Sequence, residues 1–406
     1  MVEDGGGWWR CVASTSTIFH QLSPTSKTCS GERGWIGCGV SNEALERSAM
    51  QRAIELARRG WGRVSPNPLV GAVVLKDKIV VGDGWHAEFG DAHAEVVALR
   101  AAAEKAKGST LVVTLEPCTH YGKTPPCTDA IRDAGVTRVV IAMRDPDPVA
   151  RGGVEKLRNS KISVDVGLLA DAAAAQNAPF LFVREELTRP FVALKLATSI
   201  DGRIADSGGR SQWISGAQAR DWAHWLRAGF DAIAVGGTTA MRDDPLLTVR
   251  GGLQPRRPPV RVVFDRRATL NLASNLVRTA GDPPTWVVAS EGAPATNVKG
   301  LEGAGVKVFR PRSLSDGLKE LRAAGIESVL VEGGGALGVG LLAEGLVDRL
   351  YWLQSPVWLG DGGVPAFPGV ADSGLAEAPR WTPVERRPLG PDTLLVLDRR
   401  LCLPGS

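Results

Sequence analysis

Residues 114–130, TLEPCTHYGKTPPCTDA, set two cysteines nine positions apart, each directly behind a proline, and upstream DAHAEVVAL carries His93 and Glu95 two positions apart. Thiolates and imidazoles are the ligands of zinc. A zinc ion that does chemistry takes three protein ligands and keeps a fourth position open for water. A separate carboxylate then has to move protons. His93 and Glu95 fall at the start of a predicted helix, with Asp91 as its cap, so both face one pocket. Cys118 follows a strand end. Cys127 opens the next helix, where the partial positive charge favours a thiolate. A His/Cys/Cys set with an adjacent Glu is the pattern of zinc nucleobase deaminases, whose usual form is P-C-x-x-C. Here eight residues separate the cysteines. Singly, either cysteine reads as buried packing and His93 as a capping or core residue. Four chemically matched residues, each at an element end, read together as metal-assisted hydrolysis.

A second constellation lies far downstream. VLVEGGGALGVGLL puts glycines between a predicted strand and helix, and Gly333, Gly335 and Gly338 satisfy G-x-G-x-x-G. Free N–H groups at such a turn cradle a phosphate. The match comes late in the chain with no first βαβ unit around it, so it reads equally as a tight strand-to-helix turn. LKLATSIDGRIADSGGRSQWISG and AIAVGGTTAMRDDPLLTVR cluster Gly, Ser, Thr, Asp and Arg at predicted strand ends, the place where open α/β sheets hold ligands.

The elements that position these residues alternate. SNEALERSAMQRAIELARRG has a helical apolar face, with Ser41 or Asn42 to cap it and Gly60 to end it. LVGAVVLKDKIVVGDG gives two strands joined at Lys76-Asp77-Lys78, and AHAEVVALRAAAEKAKG a helix closing on Gly108. TLVVTLEP, RVVIAMRDP and ISVDVGLL are strands, and a helix starts near Cys127 with Pro126 at its first turn. The expectation is an α/β domain with a mainly parallel sheet. A helical stretch over about 170–187 runs to Thr188-Arg189-Pro190, where helix must stop or kink. The domain boundary is placed there: an extension over 1–40 without helix or strand period, a first domain over 41–187 and a second over 188–406. FVALKLA, DAIAVGG, VRVVFD, TWVVAS, VKVFR and SVLVEGGG restart the alternation as strands, with helices over 216–228 and near 315–324.

The bulk numbers exclude little but agree. A chain of 406 residues favours two domains. Lys+Arg 48 against Asp+Glu 44, with no long basic run, gives no support for a nucleic-acid partner. Six cysteines are too sparse for a disulfide scaffold, and no apolar run is long enough to span a bilayer. A cytoplasmic setting is expected. Residues 1–40 are Ser-rich with some Arg, as organelle transit peptides are, although Glu3 and Asp4 oppose that reading.

SPNPLVGAVV, GDAHAEVVAL and TLEPCTHYGKTPPC closely resemble the deaminase half of the bifunctional riboflavin-biosynthesis deaminase–reductase family, in which the longer loop between the cysteines is the normal form. The resemblance runs from about residue 45 to 398. It implies a cytidine-deaminase-like three-layer α/β domain followed by a dihydrofolate-reductase-like α/β domain. It implies zinc on His93, Cys118 and Cys127, with Glu95 as the proton shuttle, and substrate contacts from Asn67, His120 and Lys123. From the residues alone Asn67 is equally a turn between two prolines, and His120 and Lys123 a solvated loop. For the second half the resemblance implies NADPH held by Ala197, Trp213, Thr239, Asp243 and a glycine loop of Gly334, Gly335, Gly338 and Gly340. It further implies substrate contacts from Ser211, Arg227, Leu247, Arg250 and Glu332. Trp213 reads equally as core, Arg227 and Arg250 as surface pairs, and Asp243-Asp244-Pro245 as a capped turn. The implied substrate is a pyrimidine ribosyl phosphate, deaminated and then reduced at its sugar. Asp243 is the candidate proton donor for the reduction, and a homodimer through the reductase half is implied. A nucleic-acid base deaminase would need a basic, aromatic-lined surface, and a non-catalytic zinc scaffold a fourth protein ligand; neither is evident.

Overall fold

The computed structural model describes residues 41–122, 125–333, 335–369 and 374–399. The expectations for residues 1–40, Lys123 and Gly334 fall outside the described residues.

Helix α1 (Asn42–Ala57) starts on Ser41, whose hydroxyl accepts from the Ala44 N–H at 3.2 Å. Strands β1 (Gly71–Lys76) and β2 (Ile79–Trp85) form a hairpin whose turn residues Asp77 and Lys78 both take positive φ. Helix α2 (Ala94–Ala102), strand β3 (Thr110–Leu115), helix α3 (Cys127–Asp133), strand β4 (Arg138–Met143), helix α4 (Gly153–Asn159) and strand β5 (Ser163–Val166) follow, then α5 (Ala170–Gln176) and α6 (Ala178–Glu185). The strands form a five-stranded sheet in the order β2-β1-β3-β4-β5. Only β3–β4 and β4–β5 pair in parallel, whereas β1 is antiparallel to both its neighbours. This corrects the expected mainly parallel sheet: the chain enters by a hairpin, and a two-residue turn can only reverse the strand. Helix α1 covers one face and α2 the other, giving three layers. The α2 backbone lies directly on β2, because Gly82 and Gly84 leave no Cβ there; one would fall 2.4 Å from the Ala98 carbonyl oxygen and 2.7 Å from the Ala98 nitrogen.

The second sheet begins at β6 (Phe191–Thr198). It is followed by β7 (Arg203–Ala205), α7 (Ala217–Arg227), β8 (Ala232–Gly236), α8 (Gly237–Asp243), β9 (Val260–Phe264), α9 (Asn275–Arg278), β10 (Thr285–Val288), α10 (Ala295–Gly303), β11 (Lys307–Phe309), α11 (Leu314–Ala323), β12 (Ser328–Glu332), α12 (Gly335–Ala343), β13 (Arg349–Gln354), β14 (Val364–Pro365), α13 (Gly374–Glu377), β15 (Thr382–Leu389) and β16 (Asp392–Asp398). Its nine strands run β11-β10-β9-β8-β12-β6-β13-β16-β15, parallel from β11 to β13 and antiparallel from there on. Central strands such as β8 and β12 are buried on both faces, which is why they read as continuous apolar runs. Among the described residues no helix is long and apolar enough to cross a membrane.

The helix expected over 170–187 is broken at Asn177. Its side chain turns away to accept from the Leu69 N–H at 2.8 Å and donate to the Leu69 carbonyl at 2.9 Å. Asp91 does not cap α2; His93 occupies the N-cap with extended backbone.

Candidate functional site

His93, Cys118 and Cys127 converge. The His93 Nδ1 stands 3.6 Å from the Cys118 sulfur and 3.3 Å from that of Cys127, and one ligand atom from each lies within 4.8 Å of the others. Proline accounts for the thiol placement. Pro126 is the N-cap of α3, so Cys127 becomes the first helical residue, and its N–H points at the Cys118 sulfur at 3.4 Å. Both cysteines are buried and neither is in a disulfide.

The electrostatics suit a cation. Cys118, hydrogen bonded by the Cys127 thiol and by His93, falls to about 4 in pKa. Cys127, holding the donated proton beside that thiolate in a buried place, is pushed well up. A metal ion is what would let both become thiolates. Glu95, in the first turn of α2, is 3% exposed, and burial raises its carboxyl to about 7. Its Oε2 is buried without a hydrogen-bond partner. Three soft ligands of the right types, plus a carboxylate oxygen with nothing yet to bond, fit a zinc ion with an open position for water.

His93, Glu95 and Cys118 open into a cavity of about 310 Å³ that Asn67, His86, Phe89, His120, Asp145, Asp147 and Arg184 also line. Asn67 is therefore more than a turn: its amide donates to the His86 Nε2 at 3.1 Å, while the His86 Nδ1 donates to the Ala92 carbonyl at 3.3 Å. That chain fixes a neutral His86, which burial also favours by lowering its pKa, and leaves the Asn67 carbonyl oxygen as an acceptor. The Nδ1 of His120 is buried with no partner.

Sequence reasoning passed over three groups here. His86 opens an earlier H-A-E, residues 86–88, that duplicates 93–95. Glu116, directly before the Pro117-Cys118 corner, accepts from the N–H groups of Asp145, Gly152 and Val154 at 3.1, 3.1 and 2.9 Å, tying β3 to the loop after β4 and to the start of α4. Asp145 is raised to about 6 by burial.

The second constellation gathers at the C-terminal ends of β6, β8 and β12. Arg227 makes a two-pronged pair with Glu332, at 2.6 and 2.8 Å, and its Nη1 donates to the Thr248 carbonyl at 2.9 Å. The His224 Nδ1 lies 3.4 Å from the same Nη1. Burial alone would raise Glu332, but the Arg227 charge and hydrogen bonds, with Lys195 behind them, bring it down to about 2. Lys195 is the register partner of Glu332 across β6 and β12, and desolvation lowers its pKa. A lone charge inside the apolar run FVALKLAT was the available signal for it.

Thr239 and Gly333 are neighbours, the Thr239 Cγ2 lying 3.8 Å from where a Gly333 Cβ would be, so the start of α8 sits beside the β12–α12 turn. The expected glycine loop is instead helical from Gly335 onward. Gly338 and Gly340 sit where α12 packs on Leu194 and Leu314, at 3.3 and 3.0 Å from an added Cβ, so packing requires them to be small. Ala197 is the penultimate residue of β6, Ser211 is half-buried, and Trp213 is 69% exposed with Arg220 over its ring, which excludes the core reading. Leu247 is buried among Ile233 and Val235, and Arg250 is exposed. Asp243 is exposed and paired with Arg242 at 2.9 Å, whereas Asp244 caps α9 through the Asn275 N–H at 2.8 Å.

Comparison with known proteins agrees with both halves. Residues 44–143 match the cytidine and deoxycytidylate deaminase zinc-binding region, and residues 190–395 the RibD C-terminal domain. The riboflavin biosynthesis protein RibD of Aquifex aeolicus is 41% identical over 320 residues, 78% of this chain and 89% of the relative. That of Escherichia coli K12 is 40% identical over 363 residues, 86% of this chain and 98% of the relative. The solved structure of Acinetobacter baumannii RibD, form 1, has a TM-score of 0.72 at 37% identity and covers 88% of this chain and 99% of its own. The diaminohydroxyphosphoribosylaminopyrimidine deaminase/5-amino-6-(5-phosphoribosylamino)uracil reductase of Thermotoga maritima has a TM-score of 0.71 at 36% identity with the same coverage. The reductase family implies a nicotinamide cofactor, and the substrate is a small pyrimidine. The chain belongs to the RibD family, bifunctional enzymes of riboflavin biosynthesis that join a zinc-binding deaminase domain to a reductase domain.

Proposed function

We propose that the protein deaminates 2,5-diamino-6-ribosylamino-4(3H)-pyrimidinone 5′-phosphate and then reduces the ribosyl group with NADPH, giving 5-amino-6-ribitylaminouracil 5′-phosphate. The work is divided near residues 188–190, with the zinc deaminase over 41–187 and the reductase over 188–406. The observation that carries the first step is the unpartnered, buried Glu95 Oε2 beside the His93–Cys118–Cys127 cluster.

His93, Cys118 and Cys127 would hold the zinc, which when bound lowers the pKa of water toward neutrality. Glu95 takes a proton from the attacking water and passes it to the ring nitrogen, then takes the second proton from the new hydroxyl as the carbonyl forms and passes it to the amine, so that the C–N bond breaks and ammonia departs. Asn67 accepts from the base edge, and His120 and Lys123 meet the phosphate.

In the reductase half, Ala197, Trp213, Thr239, Asp243, Gly334 and Gly335 hold the NADPH that supplies the hydride, with Gly338 and Gly340 allowing α12 to pack closely behind it. Ser211, Leu247, Arg250 and the Arg227–Glu332 pair orient the substrate so that its C1′ faces the cofactor. Lys195 replaces Asp243 as the proton donor, because it is a desolvated acid held beside Glu332 and Asp243 is an exposed ion-pair member. A homodimer through this half is consistent with the exposed apolar cluster of Ile200, Val357 and Trp358; sedimentation reads it.

The test is ammonia release from the diaminopyrimidine ribosyl phosphate by zinc-loaded protein, with NADPH absorbance followed in the same cuvette. Ammonia first, then NADPH loss, is expected. Silence from folded, metal-loaded protein would refute the assignment.

A further inference from the structure

The loop that carries Asn67 does not rest on the deaminase half alone. At its far end Asn177 holds Leu69, and His86 holds the Asn67 amide. Between these and the end of α1, the carbonyls of Gly62 and Ser65 receive hydrogen bonds from a single residue of the reductase half. The Arg256 backbone N–H donates to the Gly62 carbonyl at 2.8 Å, and its Nε donates to the Ser65 carbonyl at 3.0 Å. The same guanidinium lies over the Phe89 ring, 4.5 Å from its centroid. Phe89 and Asn67 are both walls of the zinc cavity, and the Phe89 N–H bonds the Arg63 carbonyl at 3.2 Å. One cation therefore ties together the two loops that form this side of the cavity, residues 62–67 and 86–91.

The base of the loop has separate anchorage. Trp61 stacks on Trp225 of α7 with centroids 4.9 Å apart, donates from Nε1 to the Trp225 carbonyl at 3.0 Å, and fills the space that a side chain at Gly229 would take. Removing the Arg256 side chain therefore leaves the halves docked and the backbone bond to Gly62 in place, and frees chiefly the Ser65–Asn67 segment.

We propose that Arg256, contributed by the reductase half, is a positioning residue for deamination. It clamps the Ser65 carbonyl against Phe89 and so aims the Asn67 amide at the pyrimidine. The inference rests on the deaminase reading above. Its signature is weakened substrate binding with little change in the chemical step, because Glu95 and the metal ligands stand on α2, α3 and the end of β3, none of which Arg256 touches.

The experiment compares full-length, zinc-loaded wild type with Arg256→Ala, Arg256→Lys and the neighbouring Arg257→Ala. Ammonia release from the diaminopyrimidine ribosyl phosphate is measured over a range of concentrations, alongside zinc content and NADPH oxidation with the deaminated compound. Loss of a half-exposed charged hydrogen bond and the cation over Phe89 should raise the deamination KM by roughly tenfold. The expected pattern is kcat, zinc content and reductase kinetics close to wild type, partial recovery in Arg256→Lys, and no effect in Arg257→Ala. An active wild type with an unchanged KM in Arg256→Ala would overturn this inference alone. So would equal losses in both activities, which mark general damage. A wild type that releases no ammonia would overturn the deaminase reading and this inference with it.

Discussion

Glu95→Gln is the sharpest perturbation of the first reaction, because the side chain keeps its shape while losing the ability to shuttle a proton. General acid–base groups contribute about 10² to 10⁴ in rate, and the position within that range depends on whether another group can take over. Of the other titratable groups lining the cavity, three are held by the protein. Glu116 has its carboxylate committed to three backbone N–H groups. His86 is held on both nitrogens by Asn67 and Ala92. Asp145 is held by the Asp147 N–H at 2.9 Å on the loop after β4. These three are not free to substitute, whereas His120, whose Nδ1 is buried without a partner, is, so the whole range applies: a fall in kcat of about 10² to 10⁴, or roughly 2.7–5.5 kcal/mol of barrier. Packing should hardly notice, since an amide replaces a fully buried carboxylate of equal volume. The assay is ammonia release with zinc stoichiometry on the same sample. Retained zinc with kcat within tenfold of wild type would refute Glu95 as the shuttle.

The remaining predictions reach the other parts of the molecule. Cys127→Ser should lose zinc on dialysis and abolish deamination while leaving NADPH-dependent reduction of the deaminated substrate intact, since the described residues lining the cavity beside the cluster all belong to the deaminase half; metal analysis and the two assays check this. Lys195→Met should lower the reductase kcat by about 10² to 10⁴. In the wild type a donor must be protonated, so reduction should fall as pH rises through the depressed Lys195 value, below the 10.5 of a free lysine; a flat profile up to that pH would exclude it. Arg349→Met should destabilise the fold by about 3–5 kcal/mol in denaturant melts, because it strands the buried Asp398 carboxylate, which Arg349 now holds at 2.6 and 2.7 Å, together with the Ala175 carbonyl at 2.8 Å.

What could be read in advance followed from how narrow each chemical demand is. A metal accepts few residue types, so His93, Cys118, Cys127 and Glu95 were legible although the cysteine spacing departed from the short form. The hairpin at Asp77-Lys78 was legible because only a turn fits between those runs. Helix α4 was not, because its first N–H groups are capped by Glu116, which lies 36 residues before Gly152 and follows no local pattern. The break at Asn177 was hidden for the same reason: Ala-rich sequence favours an unbroken helix, and a tertiary bond to Leu69 overrides it. Asp91 looked like a cap by residue type, yet His93 takes the N-cap with extended backbone. Lys195 was legible and overlooked, while Arg256 carries no signal at all, since its partners are backbone carbonyls nearly two hundred residues away.

The second sheet also separates the two chemistries. The deaminase half meets it at the N-terminal ends of β8 and β12, where Asp231 and Ser328 share the walls of a small cavity with Ser65 and Asn67. Glu332, Gly236 and the helix starts that face the reductase site lie at the opposite ends of the same strands. Five residues of strand at 3.3 Å each put about 16 Å of close-packed sheet between them. Among the described residues, strands buried on both faces leave no path for product through the sheet behind the contact between the halves. What crosses it instead is support: Trp61 on Trp225, and Arg256 on Ser65 and Phe89. The segment carrying Arg256 begins at Thr248, whose carbonyl anchors Arg227 beside Glu332. A single connection of the reductase domain thus braces its own substrate pair at one end and the deaminase cavity at the other.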